Sequence, residues 1–269
     1  MIRHFAIAAL AILIAGPACA EIPDDPLHSA MWTTLAAKYF GDATVVFDNN
    51  VKIVVPSITE NQAQVPVTAD ARGVPGVVKM IVFADLNPIQ LALTLTPAKA
   101  AAYVSFRMKI EQATPLRAAA QTADGVWHVG GVYLDASGGG CSASAMARSD
   151  ADWSETRGQT QAKLWREVDG MTRARFRVRH PMDTGLAKDN TPPYFIEHMD
   201  MRGASGEPLA TLEMFEPVSE DPTLTLLLRM PASDATLELE GRDNNGGTYR
   251  SSIPAPGRQS ALPLACNAG

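Results

Sequence analysis

The feature that most constrains the fold is a series of short runs rich in β-branched and apolar residues, separated by turns. Such runs recur at intervals of roughly 8–12 residues, a spacing typical of antiparallel β-sandwiches. In the first half of the chain they lie at 45–47, 52–55, 64–68, 77–83, 91–95, 103–107, 116–122, 126–129 and 132–134. In the second half they lie at 173–179, 194–200, 208–215, 224–230, 236–242 and 248–253. The sequence therefore predicts an all-β protein with two small β-sandwiches.

One segment departs from this pattern near the start of the chain. Leu27, Met31, Leu35 and Tyr39 recur every fourth residue, which predicts an amphipathic helix over 27–40. The chain otherwise contains 20 glycines and 19 prolines, a composition that suits short strands and turns better than further helices.

The first twenty residues have the pattern of an export signal. A basic start, an apolar run over 5–15 and the sequence Ala18-Cys19-Ala20 predict cleavage after Ala20 and a periplasmic location. A lipoprotein signal ending at Cys19 is the alternative. The apolar run is too short to span a bilayer. The net charge of −6 and the lack of a basic patch argue against nucleic acid as a partner.

Between the two strand-rich halves lies a segment of small residues, 137–145, which contains Gly138, Gly139, Gly140, Cys141 and Ser142. Three consecutive glycines favour neither strand nor helix, because each loses much backbone entropy on ordering. We therefore expect a flexible arm that exposes the thiol of Cys141.

Several interpretations of Cys141 remain open on the residues alone. After signal cleavage it shares the chain with one other cysteine, Cys266, and in an oxidising compartment the two could form a disulfide. The segment could also be a plain linker with an incidental cysteine. A cysteine hydrolase using His128 or His180 is disfavoured, because a glycine arm cannot hold catalytic geometry. No spacing typical of a metal site appears. A carrier thiol needs only exposure and freedom to move.

The run 173–179 alternates basic and apolar residues strictly, which predicts a half-exposed strand. Its basic face is interpreted as a solvated or partner-facing surface rather than an anion site. His180 precedes a proline, which favours an extended backbone there, and its side chain is expected to brace the turn over 182–185.

Two sets of residues resemble a known family. The stretch 123–128 leading to Gly139-Gly140-Cys141-Ser142 resembles the end of SoxY, the sulfur-carrying subunit of the bacterial thiosulfate-oxidising system. The stretch Arg179-His180-Pro181-Met182-Asp183-Thr184-Gly185, with 216–222 and 242–247, resembles its partner SoxZ. The single-chain arrangement resembles the fused SoxYZ-like carriers associated with quinoprotein dehydrogenases.

The resemblance implies two immunoglobulin-like β-sandwiches, no catalytic activity of its own and no cofactor. It implies that Cys141 bears the sulfur cargo. It implies periplasmic partners, either sulfur-oxidation enzymes or a pyrroloquinoline-quinone (PQQ) dehydrogenase system. Two departures stand out: SoxY ends in a free Gly-Gly-Cys-Gly-Gly tail whereas this chain continues beyond Ser142, and Cys266 offers a second thiol. An arm tethered at both ends has a shorter reach than a free tail.

The predicted organisation has five parts. They are a signal peptide (1–20), a SoxY-like sandwich (21–136), an arm and interdomain linker (137–165), a SoxZ-like sandwich (166–258) and a tail (259–269). The predicted function is a non-enzymatic carrier of covalent cargo on Cys141. The alternative is an accessory protein of a quinoprotein alcohol dehydrogenase system that carries no covalent cargo.

Overall fold

The structure is a computed structural model that describes residues 22–149, 152–231 and 236–255. The predicted signal peptide, its cleavage site, the tail and Cys266 lie outside the described residues. The first half contributes a helix and eight strands: α1 (Trp32–Phe40), β1 (Val45–Phe47), β2 (Lys52–Val54), β3 (Val65–Asp70), β4 (Val77–Ala84), β5 (Leu91–Thr96), β6 (Ala100–Met108), β7 (Thr114–Thr122) and β8 (Trp127–Leu134).

A 3₁₀ turn (Met146–Ser149) and a short helix, α2 (Trp153–Thr156), connect the halves. The second half adds seven strands: β9 (Thr160–Arg166), β10 (Thr172–Val178), β11 (Ile196–Gly203), β12 (Pro208–Met214), β13 (Thr223–Leu228), β14 (Thr236–Asp243) and β15 (Thr248–Pro254). The all-β prediction is confirmed, and every predicted strand corresponds to an observed one. The runs at 126–129 and 132–134 form one strand, β8.

The strands form two sheets, and each sheet runs through both halves. The larger has the order β1-β8-β7-β4-β5-β12-β11-β14-β15 and the smaller the order β2-β3-β6-β13-β10-β9. The halves meet at two antiparallel pairings, β5 with β12 and β6 with β13. Among the strands of the described residues, all pairings are antiparallel except that of β1 with β8. Because both sheets are continuous across this junction, one apolar core extends between them through both halves.

Alternation along the strands places the apolar residues in this core. In β10, Ala174, Phe176 and Val178 are buried while Arg173, Arg175 and Arg177 are exposed. The half-exposed strand predicted over 173–179 is therefore confirmed. Its basic side lies on the outer face of the smaller sheet.

The N-terminal helix is shorter than predicted, since α1 begins at Trp32 rather than at residue 27. The carboxylate of Asp25 accepts hydrogen bonds from the backbone N–H groups of Leu27 and Ser29, and His28 has a φ of 51°. These contacts form a turn that is incompatible with helix. The same carboxylate pairs with Arg117 of β7, which fixes the turn to the larger sheet.

The predicted linker, 137–165, also contains more structure than expected. Its last six residues belong to β9, which pairs with β10 along its whole length and forms the edge of the smaller sheet. Lys163 and Gln161 are polar and exposed, so this strand lacks the apolar run by which the others were predicted. The division of the chain into domains otherwise stays a prediction.

Candidate functional site: the Cys141 loop

The loop that carries Cys141 leaves β8 and docks against the segment following β6. The backbone N–H of Gly139 donates to the carbonyl oxygen of Glu111 at 3.1 Å, and that of Gly140 donates to the carbonyl oxygen of Ile110 at 3.0 Å. A Cβ at Gly140 would lie 2.1 Å from the carbonyl oxygen of Gln62. The glycine at this position is therefore required by close backbone approach, not by flexibility.

Glu111 holds the loop at the thiol itself. Its Oε2 accepts hydrogen bonds from the backbone N–H groups of Cys141 (2.9 Å) and Ser142 (3.1 Å), and its Oε1 accepts one from Ser142 Oγ (3.0 Å). Hydrogen bonds to an ionised carboxylate are stronger than those between neutral groups. We call these three hydrogen bonds of Glu111 to Cys141 and Ser142 the clamp. Glu111 and Ser142 are both half-buried, so water can reach it.

Cys141 is fully buried, with 0% of its surface exposed. Its Sγ donates to the carbonyl oxygen of Lys109 at 3.6 Å. Burial raises the pKa of the thiol to about 12. The negative charge of Glu111 adds to this rise, and the ammonium of Lys109 opposes it. The expectation of a flexible arm with an exposed thiol is wrong for this structure, because the small residues allow the loop to dock closely.

The second half of the chain covers the other side of the loop. Thr184 Oγ1 donates to the carbonyl oxygen of Cys141 at 2.6 Å, and Thr184 is itself buried. Beyond the thiol, Ser144 Oγ donates to Asp189 at 2.8 Å and Arg148 pairs with Asp183. The loop therefore docks on the first half through its glycines and on the second half through the residues after Cys141.

Lys109 links the two halves beneath the loop. Its Nζ donates to the carbonyl oxygens of Met182 and, at 3.2 Å, of Glu216, while its own carbonyl accepts from the thiol. Burial lowers the pKa of Lys109 to about 8, and the negative charges of nearby carboxylates such as Asp183 and Glu216 partly oppose this lowering. The site is thus a seam between the halves: the ammonium of Lys109 contacts the second half, and its backbone carbonyl accepts the Cys141 thiol.

His180 braces the neighbouring turn, as expected. Its Nδ1 accepts a hydrogen bond from the backbone N–H of Met182 at 3.1 Å, and its ring lies 4.5 Å from that of Tyr194. Burial lowers the pKa of His180 to about 3. With so low a pKa the ring is a weak base, and its Nδ1 already accepts the Met182 N–H, so this histidine is poorly suited to take the proton of a thiol.

His128 is also far from the thiol. Its Nδ1 lies 2.9 Å from Asp48 Oδ2 near the start of β8, whereas the Cys141 loop follows the end of that strand. Six residues of strand separate His128 from Leu134, about 20 Å at 3.3 Å per residue. The two histidines weighed for a cysteine hydrolase are thus not assembled with Cys141.

Sequence reasoning missed Glu111 and Lys109, which follow β6 about thirty residues before the thiol. No local pattern distinguishes them from other charged residues, because their role depends on long-range contact. Thr184 lay within a stretch already singled out, although nothing in its sequence context connected it with Cys141. Within the described residues, no helix is long and apolar enough to cross a membrane.

Comparisons with known proteins divide the chain at this loop. The family model described as "Sulfur oxidation protein SoxY" matches residues 36–141, and that described as "Sulphur oxidation protein SoxZ" matches residues 160–254. The first match ends at Cys141 and the second begins with β9. These matches define a carrier protein of sulfur oxidation, a class whose SoxY and SoxZ components are not themselves catalytic. The chain belongs to the SoxYZ-like proteins, with a SoxY domain and a SoxZ domain fused in one polypeptide.

Solved structures give fold-level similarities only. The sulfur carrier protein SoxY from Chlorobium limicola f thiosulfatophilum is 24% identical over 38% of this chain and 92% of its own, with a TM-score of 0.32. The exo-chitosanase CsxA of Amycolatopsis orientalis is 11% identical over 76% of this chain and 26% of its own, with a TM-score of 0.24. Neither score is high enough to support a functional argument. No curated protein matches the chain.

Proposed function

We propose that this chain is a periplasmic, non-enzymatic carrier that binds a sulfur-containing cargo covalently through Cys141 and presents it to partner enzymes. The observation that carries the proposal is the position of Cys141. It is the last residue of the SoxY match, and its loop contacts both the SoxY and the SoxZ domains. A cargo at this seam would be recognised by the two domains together.

The docked thiol is a resting form. With a pKa near 12 only about one thiol in 10⁵ is ionised at pH 7. An exposed cysteine, with a pKa of about 8.5, has a few per cent thiolate under the same conditions. Loading therefore requires the loop to undock, which restores both the access and the ordinary acidity of Sγ.

Release of the loop is compatible with its contacts. The clamp consists of hydrogen bonds at a half-buried carboxylate, and such bonds exchange readily with water. The 3₁₀ turn at Met146 begins five residues after Cys141 and ties the chain to the second half. Five extended residues span roughly 17 Å, so the thiol reaches no farther than that from this anchor. A partner site must accordingly be shallow, or its binding must also release the 3₁₀ turn.

The chemistry of loading sets the kind of partner. Joining Sγ to a reduced cargo sulfur forms an S–S bond and removes two electrons and the thiol proton. The partner is therefore an oxidising enzyme of the sulfur-oxidation class that accepts those electrons. The predicted export signal over 1–20 supports a periplasmic location for this reaction, since disulfide bonds persist in that compartment.

Intact-mass analysis of protein purified from the host periplasm tests the proposal. We expect an adduct that reduction removes, that is present in Cys266→Ser and that is absent in Cys141→Ser. A mass two hydrogens below the reduced form, lost in either variant, would instead identify a Cys141–Cys266 disulfide. Persistence of that disulfide through sulfur oxidation would overturn the carrier role.

The burial of Cys141 specifically favours a second candidate, an accessory protein without covalent cargo. In that role the loop would be a fixed part of the domain seam and the partner a quinoprotein (PQQ) dehydrogenase system. Cys141→Ala separates the candidates in a host that depends on the protein. Loss of function with unchanged folding supports the carrier, and full function supports the accessory role.

A further inference from the structure

The outer face of the smaller sheet carries a cluster of cations that the carrier mechanism does not use. Arg107 of β6, Arg175 and Arg177 of β10 and Lys163 of β9 line one open groove with Trp165. We call these five residues the basic face. The chain as a whole has a net charge of −6, so the charge of this cluster is opposite in sign to that of the chain.

Two of these cations face each other directly. Lys163 and Arg175 are cross-strand partners in the pairing of β9 with β10, and both are exposed. Like charges in this position destabilise a sheet. Arg173 pairs with Glu167 and Arg177 with Asp221, whereas no carboxylate among the described residues pairs with Lys163, Arg175 or Arg107. The arrangement costs stability unless an external anion offsets it.

Trp165 adds an aromatic surface beside the charges. Arg173 Cζ lies 4.6 Å from the centroid of its ring and Lys163 Nζ lies 5.3 Å from it. Tryptophan and arginine are the residue types enriched where protein interfaces gain most of their affinity. Glu220 and Asp221 also line the groove, so its positive charge is concentrated on β9, β10 and β6.

The spread of the cations favours a protein surface over a small anion. Arg107 and Lys163 lie on strands separated by three inter-strand spacings, which is about 14 Å. One sulfate-sized ion is much smaller than this span. A surface with several carboxylates can neutralise Arg107, Lys163 and Arg175 together, and such charge complementarity speeds and orients association.

We propose that the basic face docks an acidic surface patch of a partner protein. Arg107 lies two residues before Lys109, whose carbonyl accepts the Cys141 thiol, a separation of about 7 Å along the strand. A partner bound at the basic face would therefore lie next to the Cys141 loop. The docking proposal does not depend on covalent cargo and also holds for the accessory role.

A defined acidic probe tests the surface. The probe is a fluorescein-labelled peptide of eight glutamates, compared with a matched peptide of eight glutamines, and binding is followed by anisotropy at two salt concentrations. For Lys163→Glu/Arg175→Glu we expect at least about tenfold weaker binding of the acidic peptide. Added salt should weaken the wild-type complex. The glutamine peptide should not bind.

The matched control is Arg242→Glu/Arg250→Glu, which reverses two exposed arginines on β14 and β15 of the other sheet. This variant should bind within about threefold of wild type, since distant surface charges act weakly through solvent. Lys163→Gln/Arg175→Gln removes the two positive charges without adding negative ones, so it is less prone to misfold than the charge-reversal variant. It should also bind the acidic peptide more weakly than wild type. Equal loss in the control, or no binding by wild type, would overturn the proposal. So would displacement of the peptide by sulfate at concentrations where chloride has no effect, which would indicate a small-anion site.

Discussion

Two carboxylates of the SoxY domain each form three hydrogen bonds, and the two contacts differ in how easily they can be released. Asp85 forms three hydrogen bonds with Arg117, at 2.9–3.0 Å, and both side chains are fully buried. Glu111 forms three hydrogen bonds with the Cys141 loop, yet it is half-buried. Removing one partner of a buried pair strands a charge, whereas water can replace the partner of a half-buried one. The contact between Asp85 and Arg117 is thus a fixed part of the domain, whereas the Cys141 loop can be released from Glu111.

The largest effect should come from breaking the buried contact. Arg117→Met leaves Asp85, and also Asp25 of the N-terminal turn, without its cation, and we expect the free energy of unfolding to fall by about 3–5 kcal/mol. Urea unfolding followed by circular dichroism measures it. Arg250→Met breaks an exposed pair with Glu240 and should leave the unfolding midpoint almost unchanged. Similar midpoints for the two variants would mean that burial does not distinguish the contacts.

Acid should lower the free energy of unfolding, because protonation of His180 favours the unfolded chain. Its pKa is near 6.5 when unfolded and about 3 when folded, so the unfolded chain binds the proton first as the pH falls. The stability that depends on neutral His180 is complete above pH 6.5 and is lost as the pH falls towards 3, by up to about 1.4 kcal/mol per pH unit. His180→Asn keeps an acceptor for the Met182 N–H without this titration. Denaturant titrations at pH 7 and 4.5 should show a flatter dependence in the variant. If wild type and the variant show the same pH dependence of the free energy of unfolding, His180 is excluded as the source of the acid sensitivity.

The clamp should control thiol access with a smaller energetic effect. Glu111→Ala removes three hydrogen bonds to the loop, and a net loss of about 2 kcal/mol would raise the undocked population about 30-fold. The rate of Cys141 alkylation should rise in proportion, with little change in the unfolding midpoint. Glu111→Gln retains an acceptor and should lie between wild type and the alanine variant. If Glu111→Ala reacts at the wild-type rate, the clamp does not hold the thiol.

The smallest effect should come from the SoxZ side of the loop. Thr184→Val keeps the shape of the side chain but removes the hydrogen bond to the Cys141 carbonyl, together with the acceptor of the Leu186 N–H, and a loss of about 1 kcal/mol at the loop would raise alkylation about fivefold. Thr211→Val is a control, since its hydroxyl donates to Asp200 on the larger sheet away from the loop. Equal rates in both variants would show that the SoxZ domain does not hold the loop closed.

The sequence allowed the strands and the thiol to be located, but not the state of the thiol. The alternation in β10 and the turns depend on residues that are close in sequence, so local patterns predict them. The docking of Gly140 on Gln62 and the clamp of Glu111 on Cys141 join residues far apart in sequence, and a glycine needed for close approach has the same local pattern as one needed for flexibility. Strand β9 was missed because its exposed face is polar and charged. The joining of both sheets across the domains depends on the pairings of β5 with β12 and β6 with β13, which no local pattern predicts.

The rate at which iodoacetamide modifies Cys141 in the intact protein tests the central claim most directly. Peptide mapping separates Cys141 from Cys266, and the same peptide from the urea-unfolded chain at the same pH supplies the reference rate. If the loop is docked and opens only transiently, Cys141 in the folded protein should react at least roughly 100-fold more slowly than in the unfolded chain. A folded-state rate equal to the unfolded one would mean that the thiol is permanently exposed, and the releasable clamp would be refuted.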